Sequence, residues 1–183
     1  MPTFAVREDL SLTTLELCHA EELFRLTDGN RAYLRRWLPW LDTVRMVEDT
    51  RGFIRATLAQ ARENNGFQAV IVSDSRVAGV VGHHQVDWRN RATALGYWIG
   101  EEFQGRGLVT AACRRLVAHS FDVLGLHRVE IRCAVENRRS RAIPERLGFR
   151  HEGRFREAEW LYDHWVDHAV YALLATDKGQ AGK

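Results

Sequence analysis

Residues 97 to 109 read Tyr97-Trp98-Ile99-Gly100-Glu101-Glu102-Phe103-Gln104-Gly105-Arg106-Gly107-Leu108-Val109. An alternating apolar run ends at Gly100, a turn containing Gly105 and Gly107 follows, and a helical pattern opens at Leu108. A strand, a glycine turn and a helix start leave several backbone N–H groups without partners, backed by the positive end of the helix dipole. Such a place binds anions, and a pyrophosphate fits it. Gly105 and Gly107 allow the close approach that a Cβ would block. The same glycines also suit a plain tight turn, and this segment alone leaves both readings open. Neither G-x-x-x-x-G-K-[ST] nor G-x-G-x-x-G is present, so a P-loop and a Rossmann site are not supported.

Other residues of chemical interest are less specific. His83 and His84 are neighbours on an expected strand, so one faces inward, and either can be an ordinary core or surface histidine. Trp37, Pro39, Trp40 and Trp88 can line an acceptor groove or serve packing and subunit contacts. Cys18, Cys113 and Cys133 are scattered, which fits neither a disulfide framework nor paired zinc ligands; buried thiols and no metal are expected.

The elements that must position these residues follow from periodicity. An early strand is expected over 12–17, short helices over 19–26 and 31–38, and a longer helix over 47–63 with Phe53, Ile54, Leu58 and Ala61 on one side. Residues 67–72, 77–86 and 92–99 alternate as three antiparallel strands, the first two joined at Asp74-Ser75. Helix 108–124, strand 129–135, helix 140–147 and strands 149–156 and 166–174 complete the chain. A β-meander followed by β-α-β-α-β-β implies a mixed sheet in an α/β (α+β) domain. Residues 1–176 are read as one domain and 177–183 as a polar, flexible tail.

Bulk properties set outer bounds. A chain of 183 residues with 45% hydrophobic content can bury the core of one domain. Its 26 Lys and Arg against 24 Asp and Glu give no large positive field, so a nucleic-acid partner is not expected. No run approaches membrane-spanning length and the first residues lack a signal pattern, from which a soluble, cytoplasmic protein is expected.

Gln104-Gly105-Arg106-Gly107-Leu108-Val109 resembles the acetyl-CoA signature [QR]-x-x-G-x-[GA] of the GNAT N-acetyltransferase superfamily, departing from it at Val109. Asn137-Arg138-Arg139-Ser140-Arg141-Ala142 with Leu147-Gly148-Phe149 resembles the N-x-x-S-x-x…LGF segment of its ribosomal-protein branch, typified by RimJ and RimL. Asn30-Arg31, Leu34, Trp37-Leu38-Pro39-Trp40, Glu152-Gly153 and Asp167 are similar to that branch too, so the likeness spans nearly the whole chain.

The resemblance implies a mostly antiparallel seven-stranded sheet with flanking helices and one splayed parallel strand pair, 92–100 and 129–135, that holds acetyl-CoA. It implies pantetheine pairing with Trp98, Ile99 and Gly100, an oxyanion-stabilising N–H near Ile99, and pyrophosphate held by the turn from Gln104 through Gly105, Arg106, Gly107, Leu108 and Val109. Asn137 would bond the pantetheine arm, a role compatible with capping the next helix. Glu159 matches the carboxylate assigned as general base in that branch; a solvated strand charge is the plainer alternative. Many superfamily members carry a thiolate-protonating Tyr where this chain has Pro144, which leaves Ser140 as the candidate donor to sulfur unless it merely satisfies its own helix turn. Direct transfer to a primary amine follows, with a protein N-terminus of the ribosomal-protein type ahead of a small amine such as an aminoglycoside, polyamine or amino acid. A non-catalytic acyl-CoA-binding module is the reading from another class. The resemblance and the loop tryptophans also imply a homodimer or larger homo-oligomer.

Overall fold

The computed structural model of the chain is described over residues 4–177. Its elements are β1 (Phe4–Arg7), β2 (Leu10–Thr14), α1 (Ala20–Gly29), α2 (Arg31–Leu34), α3 (Val47–Arg62), β3 (Gln68–Ser73), β4 (Arg76–Asp87), β5 (Ala92–Ile99), α4 (Leu108–Asp122), β6 (Arg128–Ala134), α5 (Arg138–Arg146), β7 (Arg150–Leu161) and β8 (His164–Leu174). One sheet runs in the order β1-β2-β3-β4-β5-β6-β8-β7, and β5 with β6 is its parallel pair.

The sheet therefore has eight strands where seven were expected. The added one, β1, is four residues long and half-buried, too short to show an alternation of its own; its register against β2 (Phe4↔Leu12, Ala5↔Ser11) makes it a strand. The β3–β4 hairpin turns at Asp74 and Ser75, whose φ angles of 49° and 62° are those of a two-residue type I′ turn. The tail expected at 177–183 lies outside the described residues except for Asp177, which accepts a hydrogen bond from the Leu174 N–H at 3.1 Å.

Helix α4 forms because Leu108, Ala112, Cys113, Leu116, Val117 and Phe121 recur at helical spacing and are buried together in the core. It packs against β1, β3, β4, β5 and β6, which fixes its first turn beside the end of β5. Helix α3 buries part of the stripe expected, with Ile54 in the core and Leu58 packed against it, and adds two threonines to it. Thr50, Ile54 and Thr57 face inward while Phe53 is 43% exposed, and the Thr57 hydroxyl is satisfied by the Ile54 carbonyl at 2.9 Å. Two of the three thiols, Cys113 and Cys133, are buried, but Cys18 is exposed.

His83 is the inward member of its pair. It is 0% exposed, its Nε2 lies 3.0 Å from the Ser120 hydroxyl, and its Nδ1 has no hydrogen-bond partner among the described residues. Burial, assisted by the nearby charge of His119, lowers its pKa from 6.5 to about 4. The unfolded chain then binds more protons between those values, so this contribution to stability is complete above pH 6.5 and is lost as pH falls toward 4. Its full size is on the order of 3 kcal/mol. Urea titrations at pH 7 and pH 5 should show a steeper loss for the wild type than for His83→Gln; equal losses would remove His83 as the cause.

Candidate active site

The turn after β5 is built by its neighbours. Phe103 is buried and its N–H closes on the Gly100 carbonyl, while Asn30, at the end of α1, donates to the Leu26 carbonyl and accepts the Glu101 N–H at 2.8 Å. Gly105 and Gly107 then take φ of +73° and +71°. A Cβ at either would meet nothing within 4 Å, so within the chain glycine is favoured here by backbone conformation rather than by crowding. Among the described residues, none of the N–H groups from Gly105 to Thr110 has an acceptor; the first paired one is Ala111, which donates to the Gly107 carbonyl. Leu108 and Val109 anchor this helix start with buried side chains.

The charged side chains around the turn have specific partners. The Arg106 guanidinium is drawn to Asp74 at 2.6 Å and Asp9 at 3.7 Å, leaving its backbone N–H to the turn. Gln104 bridges the Tyr33 hydroxyl and the Arg139 guanidinium. Arg139, in the first turn of α5, therefore brings a cation beside the unpaired amides, a contribution the sequence reading did not assign.

The parallel pair opens next to this turn. β5 and β6 are in register from Ala92↔Arg128 to Leu95↔Ile131 and pair no further, although β5 runs on to Ile99 and β6 to Ala134. Gly100 donates to the Ala78 carbonyl on β4 at 2.8 Å. By strand alternation the main-chain groups of Trp98 also face β4, and those of Tyr97 and Ile99 face the gap. Gly79 lets β4 lie close here, since a Cβ on it would fall 2.1 Å from the Trp98 carbonyl oxygen.

Side chains span the gap where the main chains separate. The Tyr97 hydroxyl donates to the Ser140 carbonyl at 3.1 Å and accepts from the Ser140 hydroxyl at 3.2 Å. Asn137 caps α5 by accepting the Ser140 N–H at 3.1 Å. Burial holds the Tyr97 phenol well above its usual pKa and pushes the Cys133 thiol, a neighbour of Ser140, up to about 11. Both stay protonated at neutral pH.

Glu159 is set by an irregularity in β7. Register with β8 shifts between Phe155 (opposite His168) and Glu159 (opposite Val166), with Glu157 at φ +48°. Asp167 pins the irregularity by accepting the Glu157 N–H at 2.7 Å and an ion pair from Arg154, and the first of these bonds holds its carboxyl below the usual range. Bulges re-aim side chains and are common beside active sites. Here the Glu159 carboxylate, 30% exposed, lies 3.4 Å from Nε2 of His168. His84 feels its charge too, and burial together with Arg132 lowers the pKa of that imidazole. Among the described residues no hydrogen bond joins Glu159 to Ser140.

The acceptor-side wall couples distant segments. Tyr162, at the β7–β8 turn, donates to the Leu38 carbonyl at 2.5 Å and accepts the Leu41 N–H at 3.2 Å, and Arg35 stacks on its ring at 3.7 Å. The loop after α2 thereby lies against the hairpin bearing Glu159, and Trp40 in that loop packs on Trp98 with ring centroids 6.0 Å apart.

A mixed sheet opened at one parallel pair, with an amide-lined helix start at the mouth of the opening, defines an α/β protein with a site for a slender, pyrophosphate-bearing ligand. The chain belongs to the GNAT family: the acetyltransferase (GNAT) domain model matches residues 9–150. It is an acetyl-CoA-dependent N-acetyltransferase. The N-acetyltransferase YdaF of Bacillus subtilis (strain 168) is 37% identical over 95% of this chain and 96% of its own. The structure of RimL, a ribosomal L7/L12 alpha-N-protein acetyltransferase in complex with coenzyme A, superposes with a TM-score of 0.91 at 28% identity, covering 94% of this chain and 98% of that one. The microcin C7 self-immunity acetyltransferase MccE, in complex with acetyl-CoA and AMP, gives a TM-score of 0.88 at 30% identity, covering 92% and 94%.

Proposed function

We propose that the acceptor is the N-terminal amine of a protein, of the ribosomal-protein type. The likeness to RimL over nearly the full length of both chains supports this reading. The observation that carries the cofactor's placement is the run of unpaired N–H groups from Gly105 to Thr110 at the mouth of the β5/β6 opening. The pyrophosphate lies on that run, helped by Gln104, and the pantetheine arm enters between β5 and β6 past Trp98, Ile99, Gly100 and Asn137. Glu159, directly or through a water, takes a proton from the ammonium group. The freed nitrogen attacks the thioester carbonyl, and the Ile99 N–H, which faces the gap, stabilises the oxyanion. Collapse of the tetrahedral adduct expels the CoA thiolate, to which Ser140 gives a hydrogen bond, and the second proton shed by the nitrogen passes to the thiolate through solvent. No acyl-enzyme forms.

The likeness to MccE favours a second reading, a small-molecule amine as acceptor. Free thiol release from acetyl-CoA, followed with a panel of N-terminal peptides and small amines, decides between them. Turnover of small amines alone would overturn the N-terminal assignment.

A cytoplasmic homodimer or larger homo-oligomer completes this reading. Trp37 and Trp40 are half-buried within the chain, and the more exposed tryptophans are Trp88 at 42%, Trp160 at 48% and Trp165 at 55%, the last two packed on each other. Covering the Trp160–Trp165 pair removes apolar surface from water. Light scattering at high micromolar concentration should give a mass above that of one chain; a monomer mass refutes the assembly.

A further inference from the structure

Pro144 stands inside α5 and has no N–H to give the carbonyl four residues before it, that of Ser140. The Tyr97 hydroxyl from β5 donates to that carbonyl instead, at 3.1 Å, and accepts from the Ser140 hydroxyl at 3.2 Å. The Asn137 side chain holds the Ser140 N–H on the helix side. Ser140 is thus gripped through its N–H, its carbonyl and its hydroxyl, the last two by one phenol.

We propose that Tyr97 is a positioning residue for the departing thiolate, with its phenol acting as a two-position donor that releases the Ser140 hydroxyl toward sulfur. The proposal rests on the reading of Ser140 as the group that meets the leaving thiolate. At rest the Ser140 O–H points to Tyr97 and the Tyr97 O–H points to the Ser140 carbonyl. As negative charge grows on sulfur, the Ser140 O–H turns to it and the Tyr97 O–H turns to the Ser140 Oγ. Two donors reorient, no bond to hydrogen is broken in the phenol, and Ser140 keeps a full set of partners at its oxygen. Burial suits the phenol to this work, because a phenol held far above its usual range does not ionise and stays a donor. Pro144 favours the exchange, since a helical N–H at that position would compete with the phenol for the Ser140 carbonyl.

The test separates this role from simple capping of a carbonyl. Thiol release from acetyl-CoA is measured with the best acceptor of the peptide and amine panel and, without acceptor, as slow hydrolysis. Tyr97→Phe should lower kcat about tenfold with the acetyl-CoA KM unchanged. Added to Ser140→Ala it should cost nothing further, because both changes remove one unit. In Tyr97→Phe/Pro144→Ala the new N–H caps the Ser140 carbonyl, so the melting temperature should return toward the wild-type value while kcat stays low. That double variant also carries the measurement if Tyr97→Phe alone fails to fold. Recovery of wild-type kcat in it would show that Tyr97 only caps the carbonyl and would overturn the proposal. Full activity of Tyr97→Phe beside a slow Ser140→Ala would also overturn it, leaving the reading of Ser140 intact. Full activity of Ser140→Ala would instead remove that reading and the proposal together.

Discussion

Glu159→Gln should lower kcat/KM by ~10²–10⁴-fold, the range contributed by general acid or base assistance, and leave acetyl-CoA affinity nearly unchanged. The amide keeps the size of the carboxylate, so packing along β7 is preserved. What is lost is the capacity to take a proton, and an ammonium group without a base has no lone pair with which to attack. The loss should appear in kcat as well as in kcat/KM, because the interaction matures in the transition state rather than in the bound substrate. Near wild-type kcat/KM on a well-used acceptor would send the search for the base to His84, His168 or bulk water. The Glu159 charge acts on His84, and His168 lies 3.4 Å from its carboxylate on a different strand.

Gly107→Glu should abolish the rise in melting temperature that acetyl-CoA gives the wild type. A ligand at 100 times its Kd stabilises the native chain by about 2.7 kcal/mol through mass action. The substitution has two effects. It forces a side chain onto a backbone at φ +71°, a strain of roughly 1–2 kcal/mol, and it places a carboxylate where the pyrophosphate would lie. The first effect lowers the melting temperature of the free protein, and only the second repels the ligand. Gly107→Ala separates them, since it carries the strain without the charge and should keep part of the shift. Calorimetry that detects tight binding to Gly107→Glu would move the pyrophosphate away from this turn.

The turn was legible because its signal is local: two glycines, a strand end and a helix start within a dozen residues. α4 was legible for the same reason, as an uninterrupted period of 3.6, and the meander as short apolar runs broken by turn residues. β1 was not, because four residues hold too few repeats to declare a period. The buried side of α3 was legible at Ile54 and Leu58 but not at Thr50 and Thr57, whose burial is set by what the helix lies on rather than by their own hydrophobicity. Tyr97 carried no sign of its contact with Ser140, which lies 43 residues away and depends on how far β6 diverges from β5. Pro144 was a usable clue: a proline inside a helix frees a carbonyl, and the frequent occupant of a freed carbonyl is a hydroxyl from a neighbouring element. The contact of Tyr162 with Leu38 spans 124 residues and has no local trace.

The early end of the β5/β6 ladder has a further consequence. Sheet edges are ordinarily confined to the outer strands, where charge or a bulge blunts them against other chains. This sheet carries an edge in its interior, along Tyr97 and Ile99, within reach only of something slender enough to slip between two strands that are joined further back. A peptide strand with side chains on both faces is too broad for such a slot. The pantetheine arm, with two amides on a thin linear chain, offers the hydrogen-bonding alphabet of a strand without its side chains. In the proposed mode the cofactor is a ninth, removable strand. Amide hydrogen exchange at Ile99 should then slow when acetyl-CoA is added while Trp98, already bonded to β4, changes little, so that selectivity for the donor is exercised by the backbone and persists through side-chain substitution along β5.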